Sequence, residues 1–135
     1  MSDRDDRIIE EFRQNEGKVG GGFEGAPLLL LHHKGAKTGI ERVNPLMYQA
    51  VDGGYAVFAS KGGSDSNPDW FHNLQANPET VVEVGSDEIA VRARVAEGEE
   101  HDRIFEKQAS DYPVFAEYEE KTSRDRIPVV VLERN

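Results

Sequence analysis

Short apolar or alternating runs joined by tight-turn signals constrain this chain more than any other feature. Leu28–His33 is an apolar run of strand length. A second run, Ile40–Val51, follows across Gly35-Ala-Lys-Thr-Gly39 and is interrupted by Pro45, and a third, Tyr55–Ser60, follows across Asp52-Gly-Gly54. Asp-Gly between apolar runs signals a hairpin, because these residues accept the positive φ that a tight two-residue turn demands. Thr80–Val84 and Glu88–Ala96 repeat the arrangement around Gly85-Ser86-Asp87, with Ile89, Val91, Ala93 and Val95 alternating against Arg92 and Arg94. Ile127–Leu132 reads as a further buried strand. Hairpin-linked strands are antiparallel, and the lack of strand–helix alternation excludes a doubly wound parallel sheet.

Helices fit around these strands. Residues 2–16 predict an amphipathic helix capped by Ser2 or Asp3, with Ile8, Ile9 and Phe12 on one stripe and Gly17 as its stop. Asn67-Pro68-Asp69 predicts the start of a helix over Pro68–Ala76, with Asn67 as N-cap. Glu97–Ser110 predicts an acidic helix with Ile104, Phe105 and Ala109 inward, and Asp111–Thr122 is aromatic and partly helical. The expected architecture is mainly β: a small antiparallel barrel of about six strands, its openings covered by helices.

At 135 residues the chain has the length of one domain, 1–135. It contains no cysteine, which removes disulfides, thiolate nucleophiles and cysteine-based metal sites, and makes the cytoplasm the expected compartment. No uncharged stretch exceeds nine residues, so no transmembrane helix is expected. The first 24 residues carry charge throughout and lack the apolar core of a secretory signal.

The net charge of −10 argues against a nucleic-acid partner, whose binding surfaces are basic. Against that background, residues 28–63 hold four cations (Lys34, Lys37, Arg42, Lys61) and only two anions (Glu41, Asp52). A glycine-rich, locally basic segment in an acidic chain suits a small anion.

Other chemistries fit less well. His32 and His33 are adjacent, so on a strand they face opposite ways and cannot share one metal ion, and no metal site is expected. No G-x-S-x-G elbow is present. The formal G-x-G-x-x-G from Gly20 to Gly25 precedes an apolar run instead of following a strand, the wrong context for a dinucleotide fingerprint. The anion reading survives. Lys37, Thr38 and Arg42 place two cations and a hydroxyl on and after one turn, and Ser60-Lys61-Gly62-Gly63 adds a third cation, a hydroxyl and free glycine amides. The helix opening at Pro68 carries Trp70, either an aromatic plate beside this cradle or a core anchor, with Asn73 on the same side.

These residues, in this order, resemble the deazaflavin-dependent nitroreductase family of split-barrel oxidoreductases. The likeness spans about Gly17 to Glu133. It runs through Gly-Ala-Pro-Leu-Leu-Leu-Leu (25–31), Gly-Ala-Lys-Thr-Gly (35–39), Arg-Val-Asn-Pro-Leu (42–46), Ala-Ser-Lys-Gly-Gly (59–63), Asn-Pro-Asp-Trp-Phe-His-Asn-Leu (67–74), Ala-Asn-Pro (76–78), Glu-Glu (99–100), Tyr-Pro (112–113) and Ile-Pro-Val-Val-Val-Leu-Glu (127–133). The resemblance implies a split β-barrel binding coenzyme F420, a deazaflavin with a ribityl phosphate and an oligoglutamate tail.

Carried over residue by residue, it assigns the phosphate and the start of the tail to Lys37, Thr38 and Arg42, beside Ala36. Val43, Asn44 and Pro45 would line the cofactor. Phe58, Ala59, Ser60 and Lys61 would lie under or beside its ring, with Ser60 near the reactive edge. Asp69, Trp70, Phe71, His72 and Asn73 would close the cleft, and Tyr112, Phe115 and Tyr118, spaced by three as one helix-borne wall, would face the substrate. Two departures stand out: Ala36 where many relatives have arginine, and Phe115 where some have tyrosine.

The resemblance implies hydride transfer from the reduced deazaflavin to a quinone, an activated enone or a nitro compound, with Ser60 or Tyr118 donating to the developing oxyanion. A quinone acceptor is compatible with peripheral membrane contact, and the state would be monomer or homodimer. The rivals are an FMN enzyme on the same architecture, a deazaflavin carrier without catalysis, and a plain binding module.

Overall fold

The computed structural model describes residues 3–19, 27–124 and 126–135. Its elements are α1 (Asp3–Gln14), β1 (Leu28–Lys34), β2 (Glu41–Val51), β3 (Gly54–Phe58), α2 (Asp69–Ala76), β4 (Glu79–Val84), β5 (Asp87–Val95), α3 (Gly98–Asp111), α4 (Val114–Lys121) and β6 (Val129–Arg134). The strands close into one antiparallel barrel, the architecture that the hairpin pattern predicts, in the order β1-β2-β3-β6-β5-β4. The Gly20–Gly25 motif and the Gly25-Ala26 start of the family pattern lie outside the described residues.

Strand alternation sorts the apolar residues. Leu29 and Leu31 point into the barrel with Tyr55, Val57, Val82, Val91, Val130 and Leu132, while Leu28 and Leu30 point outward against Ile9 and Phe12 of α1. Ala56, Phe58, Val129 and Val131 use the outer faces of β3 and β6 to pack against Ile104 and Phe105 of α3 and Phe115 of α4. Burial on both faces explains why these strands read as unbroken apolar runs. Each fully enclosed leucine contributes about 1.5–3 kcal/mol through the water it sheds.

Helix α2 joins the two halves and closes the barrel's interior, contributing Trp70, Phe71 and Leu74 to the inner cluster. Trp70 is 6% exposed, so of its two readings the structure realises the core anchor. Asn67 does not cap this helix. Pro68 occupies the cap position without a side-chain bond, and the Asn67 Oδ1 instead accepts from Arg124 Nη1 at 2.6 Å. A charge-assisted bond outcompetes the local cap.

β2 is long but only half paired on one side. It runs beside β1 from Glu41 to Met47, whereas its pairing with β3 covers only Tyr48–Val51. Pro45 therefore does not interrupt the strand: it falls where β2 has a single partner, a place where sheets tolerate a missing N–H.

Candidate functional site

The half-paired stretch of β2 opens the split. Extending the β2–β3 register beyond its last pair, Tyr48↔Val57, would set Ala59 against Leu46, Ser60 against Pro45 and Lys61 against Asn44. No ladder forms there, because the chain leaves β3 after Phe58 and enters a turn of 3-10 helix at Lys61–Gly63. Two walls face this opening: Gly35–Pro45 on one side and Ala59–Asn67 on the other. Both carry residues that the sequence pattern singled out.

The first wall is exposed and lightly held. Residues 36–40 are all exposed. The turn closes on itself through Gly35 N–H to the Ile40 carbonyl (2.9 Å) and Gly39 N–H to the Gly35 carbonyl (2.8 Å), with Gly39 at φ +69°. Thr38 Oγ1 accepts from Ile40 N–H at 3.2 Å and keeps its own proton to donate. It also lies over Gly35, where a Cβ would strike it unless the Thr38 side chain turned aside. Outside this hairpin, a single hydrogen bond among the described residues ties the turn down: Ala36 N–H donates to Asn73 Oδ1 at 2.9 Å. Lys37 and Arg42 form no ion pair among the described residues.

Asn73 leads into a buried polar chain. Its Nδ2 donates to His33 Nδ1 at 3.0 Å, and His33 Nε2 lies 2.6 Å from Asn44 Oδ1. β1 points His33 inward and His32 outward, as adjacent strand residues must be. His32 instead lies between Glu41 and Glu83, and Glu83 also takes Arg13 of α1 at 2.7 Å. Arg13, followed by His32, holds the Glu83 carboxyl below its ordinary value. Burial, the largest influence, pushes His33 below the usual histidine range.

The second wall is pinned. Arg124 donates from Nη1 to the Ala59 carbonyl (2.8 Å) and to Asn67 Oδ1, from Nη2 to the Ser60 carbonyl (2.9 Å), and from Nε to Thr122 Oγ1 (2.8 Å). Thr122 Oγ1 in turn donates to the Ser64 carbonyl at 2.7 Å, and Ser123 N–H donates to Asp65 at 2.8 Å, which holds that carboxyl below its usual value. Gly63, at φ +83°, lies against α4 so closely that a Cβ would come within 3.1 Å of the Lys121 side chain. Between these anchors Lys61 adopts φ +46°, a left-handed conformation that costs a non-glycine residue about 1–3 kcal/mol and persists only where the surroundings impose it. Lys61 Nζ reaches only Ser66 Oγ, at 3.4 Å, and the Ser60 hydroxyl is free among the described residues.

The remaining assigned residues divide. Val43 packs outward with the α1 cluster, Pro45 follows it by alternation, and Asn44 faces inward to His33. Phe58, Ala59, Phe71 and Asn73 are buried, while Asp69 and His72 are exposed. The aromatic wall does not lie on one helix: α3 ends at Asp111, Tyr112 caps it, and α4 begins at Val114 after Pro113. The three rings nevertheless share one cluster, in which Phe115 is buried 5.4 Å from Phe58 and 5.6 Å from Tyr118. The Tyr118 hydroxyl has no hydrogen-bond partner among the described residues. Sequence reasoning missed Arg124 and the role of His33. A lone arginine near the C-terminal strand gives no local signal of its partners some sixty residues away.

Comparison with known proteins decides the family. Residues 6–134 match the F420H(2)-dependent quinone reductase family. The chain belongs to that family. An F420H(2)-dependent quinone reductase of Mycobacterium tuberculosis (strain ATCC 25618 / H37Rv) is 38% identical over 130 residues, covering 91% of this chain and 85% of the relative. Among solved structures, an F420-H2 dependent reductase (FDR-A) superposes with a TM-score of 0.69 at 39% identity, covering 78% of this chain and 93% of its own. Another, described as a domain-swapped dimer, gives 0.74 at 36% identity over 95% of both chains.

Membership makes the protein an F420H(2)-dependent oxidoreductase on a split barrel, with coenzyme F420 as its cofactor. The donor set fits such a group. Lys37, Arg42 and Lys61 lack carboxylate partners among the described residues, and the Thr38 and Ser60 hydroxyls keep protons to donate, the chemistry that a phosphate- and carboxylate-bearing molecule requires. No helix of the described residues is long and apolar enough to cross a membrane.

Proposed function

We propose that this quinone reductase relative holds F420H(2) in the split between β2 and the Ala59–Lys61 segment and reduces a quinone there. When bound, the cofactor supplies a hydride from C5 of its reduced ring; with one proton, this converts the quinone to the quinol. Lys37 and Arg42 hold the phosphate and the start of the acidic tail, and Thr38 donates its hydroxyl proton. Lys61 approaches the same anions from the opposite wall. The Ser60 hydroxyl lies at the ring edge, and Tyr118 donates to the quinone oxygen as charge develops on it. Phe115 packs behind them against Phe58 and carries no donor, which leaves the hydroxyls of Tyr112 and Tyr118 as the donors of this wall.

The single observation that carries the reading is the unpaired edge of β2, flanked by two walls bearing cations without carboxylate partners. Titration of the protein with F420H(2), followed by its fluorescence, and turnover with a short-chain naphthoquinone test it. Tight deazaflavin binding with quinone-dependent oxidation is expected. Equal or better affinity for FMN, or binding without turnover, would overturn the assignment. The dimeric solved relative supports a homodimer over a monomer, which light scattering on the purified protein would check.

A further inference from the structure

We propose that His33 and Asn73 are positioning residues that fix the Gly35–Gly39 turn to α2 and β2, and thereby set the turn's affinity for the cofactor's anion. The proposal rests on the reading that this turn holds that anion.

Donor logic leaves the chain one arrangement. The Ala36 N–H can only donate, so the Asn73 atom facing it is the oxygen. The other end of Asn73 is then its NH₂, which donates to His33 Nδ1, so Nδ1 must accept. The single ring proton therefore sits on Nε2 and goes to Asn44 Oδ1. The Asn73 link depends on a neutral imidazole, whereas the bond from Nε2–H to Asn44 survives in either charge state. A proton on Nδ1 would set two donors face to face. Rotating the Asn73 amide to relieve this would turn its NH₂ toward the Ala36 N–H and merely move the clash. Protonation of His33 therefore costs the turn its one anchor outside its own hairpin among the described residues.

A satisfied core histidine would end its hydrogen bonds inside the core. This chain ends on a backbone amide next to Lys37, on an exposed turn. The ring is 3% exposed and is reached by charges from three elements: Arg42 of β2 and neighbouring His32 of β1 oppose its protonation, and Asp69 of α2 favours it. The balance, led by burial, keeps it neutral at neutral pH and lets it charge only below the usual histidine range.

The sign separates positioning from simple attraction. A protonated histidine acting through its charge would raise affinity for an anion as the pH falls; a positioning histidine lowers it. The experiment follows the Ala36 amide and the His33 ring nitrogens by ¹⁵N NMR of the free protein, alongside the Kd for F420H(2), between about pH 5 and 8. An Nε2–H tautomer at neutral pH is expected, with Ala36 losing exchange protection as His33 charges and affinity falling roughly tenfold in step, the size of one lost hydrogen bond. In Asn73→Asp the carboxylate accepts from Ala36 and requires a charged His33, so the pH dependence should reverse its slope whatever the new carboxylate does to absolute affinity. Wild-type data alone decide the matter if that variant folds poorly. An Ala36 amide indifferent to His33, or affinity that rises on acidification, overturns the proposal. If Ala36 follows His33 while affinity does not, and Lys37→Ala also leaves affinity unchanged, the placement of the anion on this turn is what has failed, and the proposal falls with it.

Discussion

The two walls of the split solve the same problem in opposite ways. Ala59–Asn67 is held from outside by Arg124, Thr122 and Ser123 and wedged against α4 at Gly63, firmly enough to keep Lys61 in a left-handed conformation. Gly35–Ile40 is held mostly by itself, with Asn73 as its outside anchor. Under the proposed placement of the cofactor, the contrast puts rigidity beside the reacting ring, where misplacement slows transfer. A flexible anionic tail is served by cations on an adaptable turn.

The comparison breaks most visibly at Arg124. Removing its guanidinium leaves the Ala59 and Ser60 carbonyls and Asn67 without their donor, so Arg124→Met should cost about 3 kcal/mol in urea unfolding. Arg124→Lys should recover at most half, since a point charge cannot replace a fork. Equal stability of all three proteins would mean the second wall is not pinned. On the first wall the opposite pattern is expected. Lys37→Ala or Arg42→Ala should weaken F420H(2) binding roughly 10- to 150-fold, at about 1.5–3 kcal/mol per charge-assisted contact, while the unfolding midpoint stays put. Added salt should shrink these losses.

Gly63→Ala sharpens the contrast at a single Cβ. At Gly63 crowding against Lys121 adds to the strain of positive φ, itself about 1–3 kcal/mol, whereas the same change at Gly53, also at positive φ but with open space around it, should cost the strain alone. Differential scanning calorimetry distinguishes the two. The smallest effect is acidic. Asp65 is held below its ordinary value by the Ser123 N–H, so its contribution is complete above the usual carboxylate range and is lost as the pH falls through the lowered value. Protection of the Ser123 amide should therefore decline only below about pH 4.

Much of this was legible beforehand because it is local. Asp52-Gly53 and Gly85-Ser86 set the hairpins, and alternation around Val91 set a face. The cations of the turn were visible as a basic segment. What sequence patterns do not carry is distance across the fold. Asn67 read as a helix cap because a cap is a neighbour's business, yet it bonds to a residue 57 positions away. Three aromatic residues spaced by three read as one helix face, but Pro113 separates α3 from α4 and tertiary packing alone reunites the rings. Pro45 read as an interruption because the missing strand on one edge of β2 is a property of the closed barrel, not of the residues beside it.

β6 lies between β3 and β5, and Phe58 pairs with Val129, 71 residues further along. Until β6 arrives, β3 and β5 are both raw edges rich in valine and alanine, open to any strand that reaches them first. Loop closure over such a span is slow, so folding waits on the strand that seals the sheet. Gly54 guards that step: any side chain there would strike the Leu132 carbonyl. A bulkier residue would delay the seal and lengthen the time in which a second copy's strand can take the place.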